Sequence, residues 1–210
     1  MKILFKIGLV LLIGLCNLSA VSASRAAPAP TAAQQAVDQE NIAQDESLKS
    51  VCFSKADLEG LESCKKLVFQ DRSDSRVWNQ LGRIYYALES YGEAYLSFKY
   101  ATALRTDYAI AWANACAALN QLQDYERALS ACDKSLELVS ASETSDDERI
   151  VAWNNKAIVL YFLGRYQESL DALDNTLSIK PDNLEAKLNR ILVLHALAHE
   201  KPSKDNNFVL

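Results

Sequence analysis

Apolar residues recur at helical spacing along most of this chain. Leu58, Leu61, Cys64, Leu67 and Val68 fall three or four residues apart and predict a helix over residues 54–69. Ser54 is placed to cap it, with Asp57 three residues on in the capping-box position. Near the other end, Leu184, Leu188, Ile191, Leu192, Leu194 and Leu197 form a second stripe and predict a last helix over residues 184–200. Residues 37–53 are ambiguous, able to form a helix but carrying only a weak stripe, and residues 24–36 (SRAAPAPTAAQQA) read as a linker, so 24–53 is taken as a linker with a partly disordered N-terminal segment. Scarce Gly and Pro agree with a mostly helical chain.

Between these stripes one pattern occurs three times. YGEAYLSF starts at Tyr91, YERALSAC at Tyr125 and YQESLDAL at Tyr166, each preceded by a Trp at fixed distance: Trp78, Trp112 and Trp153. The first two Trp are 34 residues apart, and the next two are 41 apart, the same period with seven residues inserted. Small residues repeat in register at Gly82, Cys116 and Ala157, and again at Ala94, Ala128 and Ser169. Two helices meeting at such positions can approach closely while the large residues fill the gaps between units.

A 34-residue period with this Trp, Tyr and Ala spacing resembles the tetratricopeptide repeat, a helix–turn–helix unit that stacks into a solenoid. The resemblance covers about residues 54–200. It implies an all-α fold with units at 75–108, 109–142 and 150–183, a degenerate unit at 41–74 whose first half has drifted or been lost, and residues 184–200 as a capping helix with a polar outer side. It also implies a protein-binding role rather than catalysis. The departures are Lys156 where Leu is usual, an inter-unit Pro only at Pro181, and the acidic insert ETSDDE at 143–148, which lengthens and loosens one junction.

In such repeats the first helices line a concave groove, and the sixth position of each unit faces it. Here that position reads Gln80, Asn114, Asn155 and, on the last helix, Asn189. Amides offer both donor and acceptor, so the row suits the backbone of an extended peptide; a merely polar groove face is the other reading. Asn79, Arg83, Tyr86 and Tyr161 complete the candidate partner-binding set, with Arg83 suited to a carboxylate. The chaperone-binding members of the family clamp a terminal carboxylate with Lys, Asn and Arg. Only Asn114 matches that set, and Val151 stands where Lys is wanted.

Charge and targeting narrow the role. Residues 1–23 read as a secretory signal: Lys2 and Lys6 precede an apolar run at 7–15, and Val21-Ser22-Ala23 offers a cleavage site. The run is too short for a confident membrane span, though an uncleaved anchor is the alternative. Removing it takes two of the 22 basic residues and none of the 27 acidic ones, so the net charge goes from −5 to −7. Such a chain is a poor binder of nucleic acid or anionic membrane. The reading is therefore an exported adaptor in periplasm, lumen or secretion, with a protein or peptide partner, no cofactor and no metal. Residues 201–210 read as a polar tail.

Four cysteines remain after cleavage, and the candidate disulfides are Cys116–Cys132, across one hairpin, and Cys52–Cys64. The bland reading is small core residues. His195 and His199 lie one turn apart but have no clear third ligand. Two rival roles stay open: a structural subunit docking through its convex face or the acidic insert, and a glycan-binding accessory using Tyr86 and Tyr161.

Overall fold

The computed structural model describes residues 31–141 and 145–199. The expected signal over 1–23, the first part of the linker and the tail over 201–210 lie outside them. Contacts divide the chain after Asp38. In the first unit, described residues 31–38 open helix α1 (Ala32–Ser54), and the Gln34 N–H bonds to Thr31 Oγ1 at 3.2 Å. The second unit carries the rest of α1 and then, among the described residues, α2 (Leu58–Gln70), α3 (Ser75–Ala87), α4 (Tyr91–Leu104), α5 (Ala109–Gln121), α6 (Tyr125–Ala141), α7 (Asp146–Phe162), α8 (Tyr166–Ile179) and α9 (Leu184–His199). Helices α3 and α4, α5 and α6, and α7 and α8 form hairpins, and each hairpin packs on the next.

The hairpin turns share one geometry. Glu89, Gln123 and Gly164 sit in the left-handed region at φ 59°, 60° and 72°. In each turn that residue's N–H reaches back three residues, and the next N–H reaches back five: Ser90 to the Tyr85 carbonyl, Asp124 to Leu119, Arg165 to Leu160. This is a Schellman end, which satisfies the last carbonyls of the first helix. A Cβ at Gly164 would meet nothing within 4 Å. Gly164→Ala is therefore expected to cost about 1 kcal/mol through backbone conformation alone, read as a shift in the urea midpoint.

Caps and indoles set the helix starts. Asp57, not Ser54, caps α2, accepting from the Glu59 and Gly60 N–H groups at 3.0 Å each. The chain turns at residues 55–57, and a Cβ at Gly60 would run into the Lys55 carbonyl. Trp78 and Trp112 each donate their indole N–H to a carbonyl six residues back, Arg72 at 2.9 Å and Thr106 at 3.1 Å, pinning α3 and α5 to the preceding loops.

Asp74 caps α3 by accepting the Arg76 N–H at 2.9 Å. The Arg76 guanidinium, bonded to the same carboxyl at 2.8 Å, holds its pKa below the usual 3.8 against the opposing effect of partial burial. Because the folded value lies below the unfolded one, this stabilisation is complete above that pH and fades as pH falls through the folded value. Asp74→Ala is expected to cost about 1 kcal/mol at neutral pH. Urea titrations at several pH values should show the gap to the parent closing below pH 3.8.

Three expectations change. First, α1 is already helical from Ala32, within the stretch read as linker, continues through the ambiguous residues 37–53, and supplies the first half of the degenerate hairpin. Cys52 is its one buried residue, the Gln80 amide donates to the Cys52 carbonyl at 3.0 Å, and Cys52 is joined to Cys64. The reversal after Ser54 brings Cys64 back alongside, with Cα atoms 4.9 Å apart. Second, the insert does not lengthen a loop. Helices α6 and α7 are each 17 residues long, against 14 in α4 and 13 in α5, which absorbs all seven extra positions. Of the acidic stretch, Asp146, Asp147 and Glu148 form the first turn of α7, capped by Ser145, where they meet the positive end of the helix dipole.

Third, α9 does not present a polar outer side. It buries Ala186 and Val193, while Leu184, Leu188, Ile191, Leu192 and Leu194 are exposed. Period alone does not say which side of a helix finds a neighbour.

Candidate functional site

The first helices of the three full hairpins, α3, α5 and α7, pack side by side in the stack. They enclose a cleft of about 260 Å³ lined by Arg83, Tyr86, Asn114, Ala117, Val151 and Asn155, with Phe98 at its floor. Four of the eight residues expected to bind a partner therefore meet in one place: Arg83, Tyr86, Asn114 and Asn155. Tyr161 and Asn189 line a different cleft of about 200 Å³ between α7 and α9, with Ile158, Phe162 and Leu192. Its lining is chiefly apolar. Tyr86 and Tyr161 thus form no shared platform.

Asn79 and Gln80 are corrected in role. They are only 7% and 6% exposed, so they cannot grip a ligand directly. Instead they position those that can. Asn79 Oδ1 accepts from the Asn114 amide at 3.0 Å. Gln80 donates to the Cys52 carbonyl, and its Oε1 accepts from Arg83 at 3.2 Å. The Asn155 amide donates to the Ala113 carbonyl at 2.9 Å. The row is thus a set of hydrogen bonds between successive helices before it is a ligand site.

These bonds orient the amides. A carbonyl partner can only receive an N–H, so the Asn155 NH₂ points inward and its Oδ1 is left over. Neither Asn155 Oδ1 nor Asn114 Oδ1 accepts a hydrogen bond among the described residues. Arg83 is exposed, and no carboxylate pairs with it among the described residues. The cleft lining contains no Asp or Glu. It therefore offers two amide acceptors, that of Asn155 fixed by its backbone partner, together with one guanidinium, the half-buried Tyr86 ring and an apolar wall at Val151. Tyr86 is braced edge-on against Tyr91 at 5.3 Å, and its hydroxyl accepts from Gln121 at 3.3 Å.

Ala117, Val151, Ile158 and Phe162 were absent from the expected set. They are ordinary apolar helix residues in sequence, and only the packing of one hairpin on the next brings them to a cleft. The two candidate disulfides are both formed, Cys52–Cys64 at 2.00 Å and Cys116–Cys132 at 2.03 Å. His195 and His199 have ring centroids 4.3 Å apart and no third ligand among the described residues.

Comparison with known proteins agrees with this fold. Tetratricopeptide-repeat family models match residues 75–108 and 107–182, together just over half of the chain. No curated protein sequence matches it. Among solved structures, a crystal structure of MamA protein superposes with a TM-score of 0.58 at 19% identity, covering 79% of this chain and 84% of that one. The first repeat domain of Spaghetti (RPAP3), bound to the HSP90 peptide SRMEEVD, gives 0.54 at 20% identity, covering 61% and 96%. The first such domain of human RPAP3 gives 0.54 at 19%, covering 59% and 92%. At these identities the likeness is one of fold.

Proposed function

The chain belongs to the tetratricopeptide-repeat family, and from that premise we propose that it is an adaptor that holds an extended segment of a partner protein in the Arg83–Asn155 cleft. The observation that carries this is the orientation of the amides: the inter-helix bonds consume an N–H of Asn114 and of Asn155 and leave both side-chain carbonyls free. Two such acceptors suit backbone N–H groups of an extended strand. Arg83 takes an acidic side chain of that segment, and Tyr86 and Val151 take an apolar one. A similar fold holds a chaperone peptide in the Spaghetti structure. Here Val151 stands where a second cation would be needed for a tail of that kind, so the segment relies on one guanidinium. The role is that of a scaffold rather than a catalyst.

We place its site of action outside the cytoplasmic membrane. The leader-like residues 1–23 support this, and so do two buried disulfides, which persist in oxidising compartments. Intact mass of the exported protein should correspond to a chain starting at Ser24.

The test is a paired capture from extract of the source cell, with the parent and with Asn114→Ala/Asn155→Ala as baits of equal circular dichroism. The expected result is a partner held by the parent and weakened at least about tenfold by the variant, a loss of roughly 1.4 kcal/mol or more. Arg83→Glu should weaken the same partner. Equal retention by all three baits would overturn the cleft as the binding site and favour docking through the convex face.

A further inference from the structure

The exposed side of α9 is the strongest unexplained feature of the molecule. Counting back one 34-residue period, Leu184, Leu188, Ile191 and Leu194 correspond to Ile150, Asn154, Ala157 and Leu160 of α7. Those four are all buried, in a hairpin that α8 completes. In α9 the same positions are 68%, 53%, 62% and 40% exposed, and Leu192 beside them is 59% exposed. Helix α9 is therefore built as the first helix of a fourth hairpin, and no second helix follows it among the described residues. Its opposite side already packs on the body through Ala186, Val193 and Leu197. A helix that is apolar on both sides is one that is covered on both sides.

We propose that this face is covered by α9 of a second copy of the chain, the two helices lying antiparallel across a two-fold axis in the place where a hairpin's second helix would sit. Three observations select that occupant. The first is side-chain size. Where the full hairpins carry Gly82, Cys116 or Ala157, small residues that let the second helix come close, α9 carries Ile191. A contact made of large residues from both sides suits two equal stripes better than a repeat-type second helix.

The second is charge. The chain is acidic overall, with 27 acidic against 22 basic residues, yet α9 carries one Glu185 against Lys187 and Arg190. Two copies can meet here without apposing clusters of carboxylates, and the stripe itself offers no charge by which to choose a different partner. The third is area. The stripe, continued over Leu192 to Phe162 at the mouth of the neighbouring cleft, exposes on the order of 500 Å² of apolar surface, the size of the largest patch on a typical monomer, which is often a functional surface. Paired with itself it buries roughly 1,000 Å², the low end for a specific interface. The contact is isologous, so it closes at two copies, and its size implies a reversible dimer.

Sedimentation equilibrium of the full chain tests this, comparing the parent with Leu188→Glu/Ile191→Glu. Both positions are exposed, so the variant should keep the parent's circular dichroism and urea midpoint. The expected result is a concentration-dependent monomer–dimer equilibrium in the parent and a dissociation constant raised more than about tenfold in the variant. The Asn114→Ala/Asn155→Ala chain should dimerise like the parent, which separates this contact from the partner cleft. A parent that stays monomeric at high micromolar concentration would overturn the proposal. So would a variant that associates as the parent does, because the contact would then lie elsewhere.

Discussion

Phe98→Ala is expected to lower stability by about 3–5 kcal/mol, and it should reverse the sign of a second substitution, Gly82→Ala. Phe98 is 1% exposed and lies directly against the α3 backbone at Gly82. A Cβ built on Gly82 would stand 2.6 and 2.7 Å from two carbons of its ring. In the parent, Gly82→Ala therefore pushes the ring off the α3 backbone and out of its packing with the buried Ala94, toward the cleft whose floor it forms. Such overpacking costs about 1–3 kcal/mol, which outweighs the roughly 1 kcal/mol that Ala gains over Gly in a helix. With Phe98 truncated the clash is gone and a cavity faces the new methyl, so Gly82→Ala should then raise stability. Urea midpoints of the four proteins give the coupling directly. Additive effects would mean that the two residues are not the contact that closes this hairpin.

Removing the Cys116–Cys132 bond as Cys116→Ala/Cys132→Ala should cost about 3 kcal/mol. The bond closes a loop of 16 residues across the turn between α5 and α6, and both cysteines are fully buried, so its loss is felt as unfolded-chain entropy with little new exposure. In the 34-residue register this pair stands where Gly82 and Phe98 stand in the hairpin before it. One hairpin is closed by a ring on a glycine, the next by a covalent bond. The parent in reductant should approach the double variant, and the double variant should ignore reductant. The Cys52–Cys64 bond acts differently. Since Cys52 is the one buried residue of α1, its loss should release α1 locally, seen as faster amide exchange in α1 while the later hairpins stay protected.

Much of the fold was legible because a repeat states its own register. Trp78, Trp112 and Trp153, with Tyr91, Tyr125 and Tyr166, mark the hairpins at 34 and 41 residues, and the small positions between them mark where helices meet. That pattern was enough to pair Cys116 with Cys132 as candidates and to bring Arg83, Tyr86, Asn114 and Asn155 into one set. It could not say that Asn79 and Gln80 turn inward to hold their neighbours, because an amide reads the same in sequence whether its partner is a ligand or the next helix.

The chain by itself thus determined the period, the hairpins and the small residues that let them close, since these depend on side-chain size at fixed spacing within a unit. Tertiary structure alone decided three other matters. Residues 146–148 of the acidic insert joined α7, because the structure places Ser145 as its cap and the helix dipole favours carboxylates in a first turn. A weakly patterned segment became α1 because a disulfide and the amides of Gln80 and Gln70 anchor it. And the apolar stripe of α9 lies open because burial requires a neighbour as well as a pattern, and the hairpin that would supply one is not completed by a following helix among the described residues.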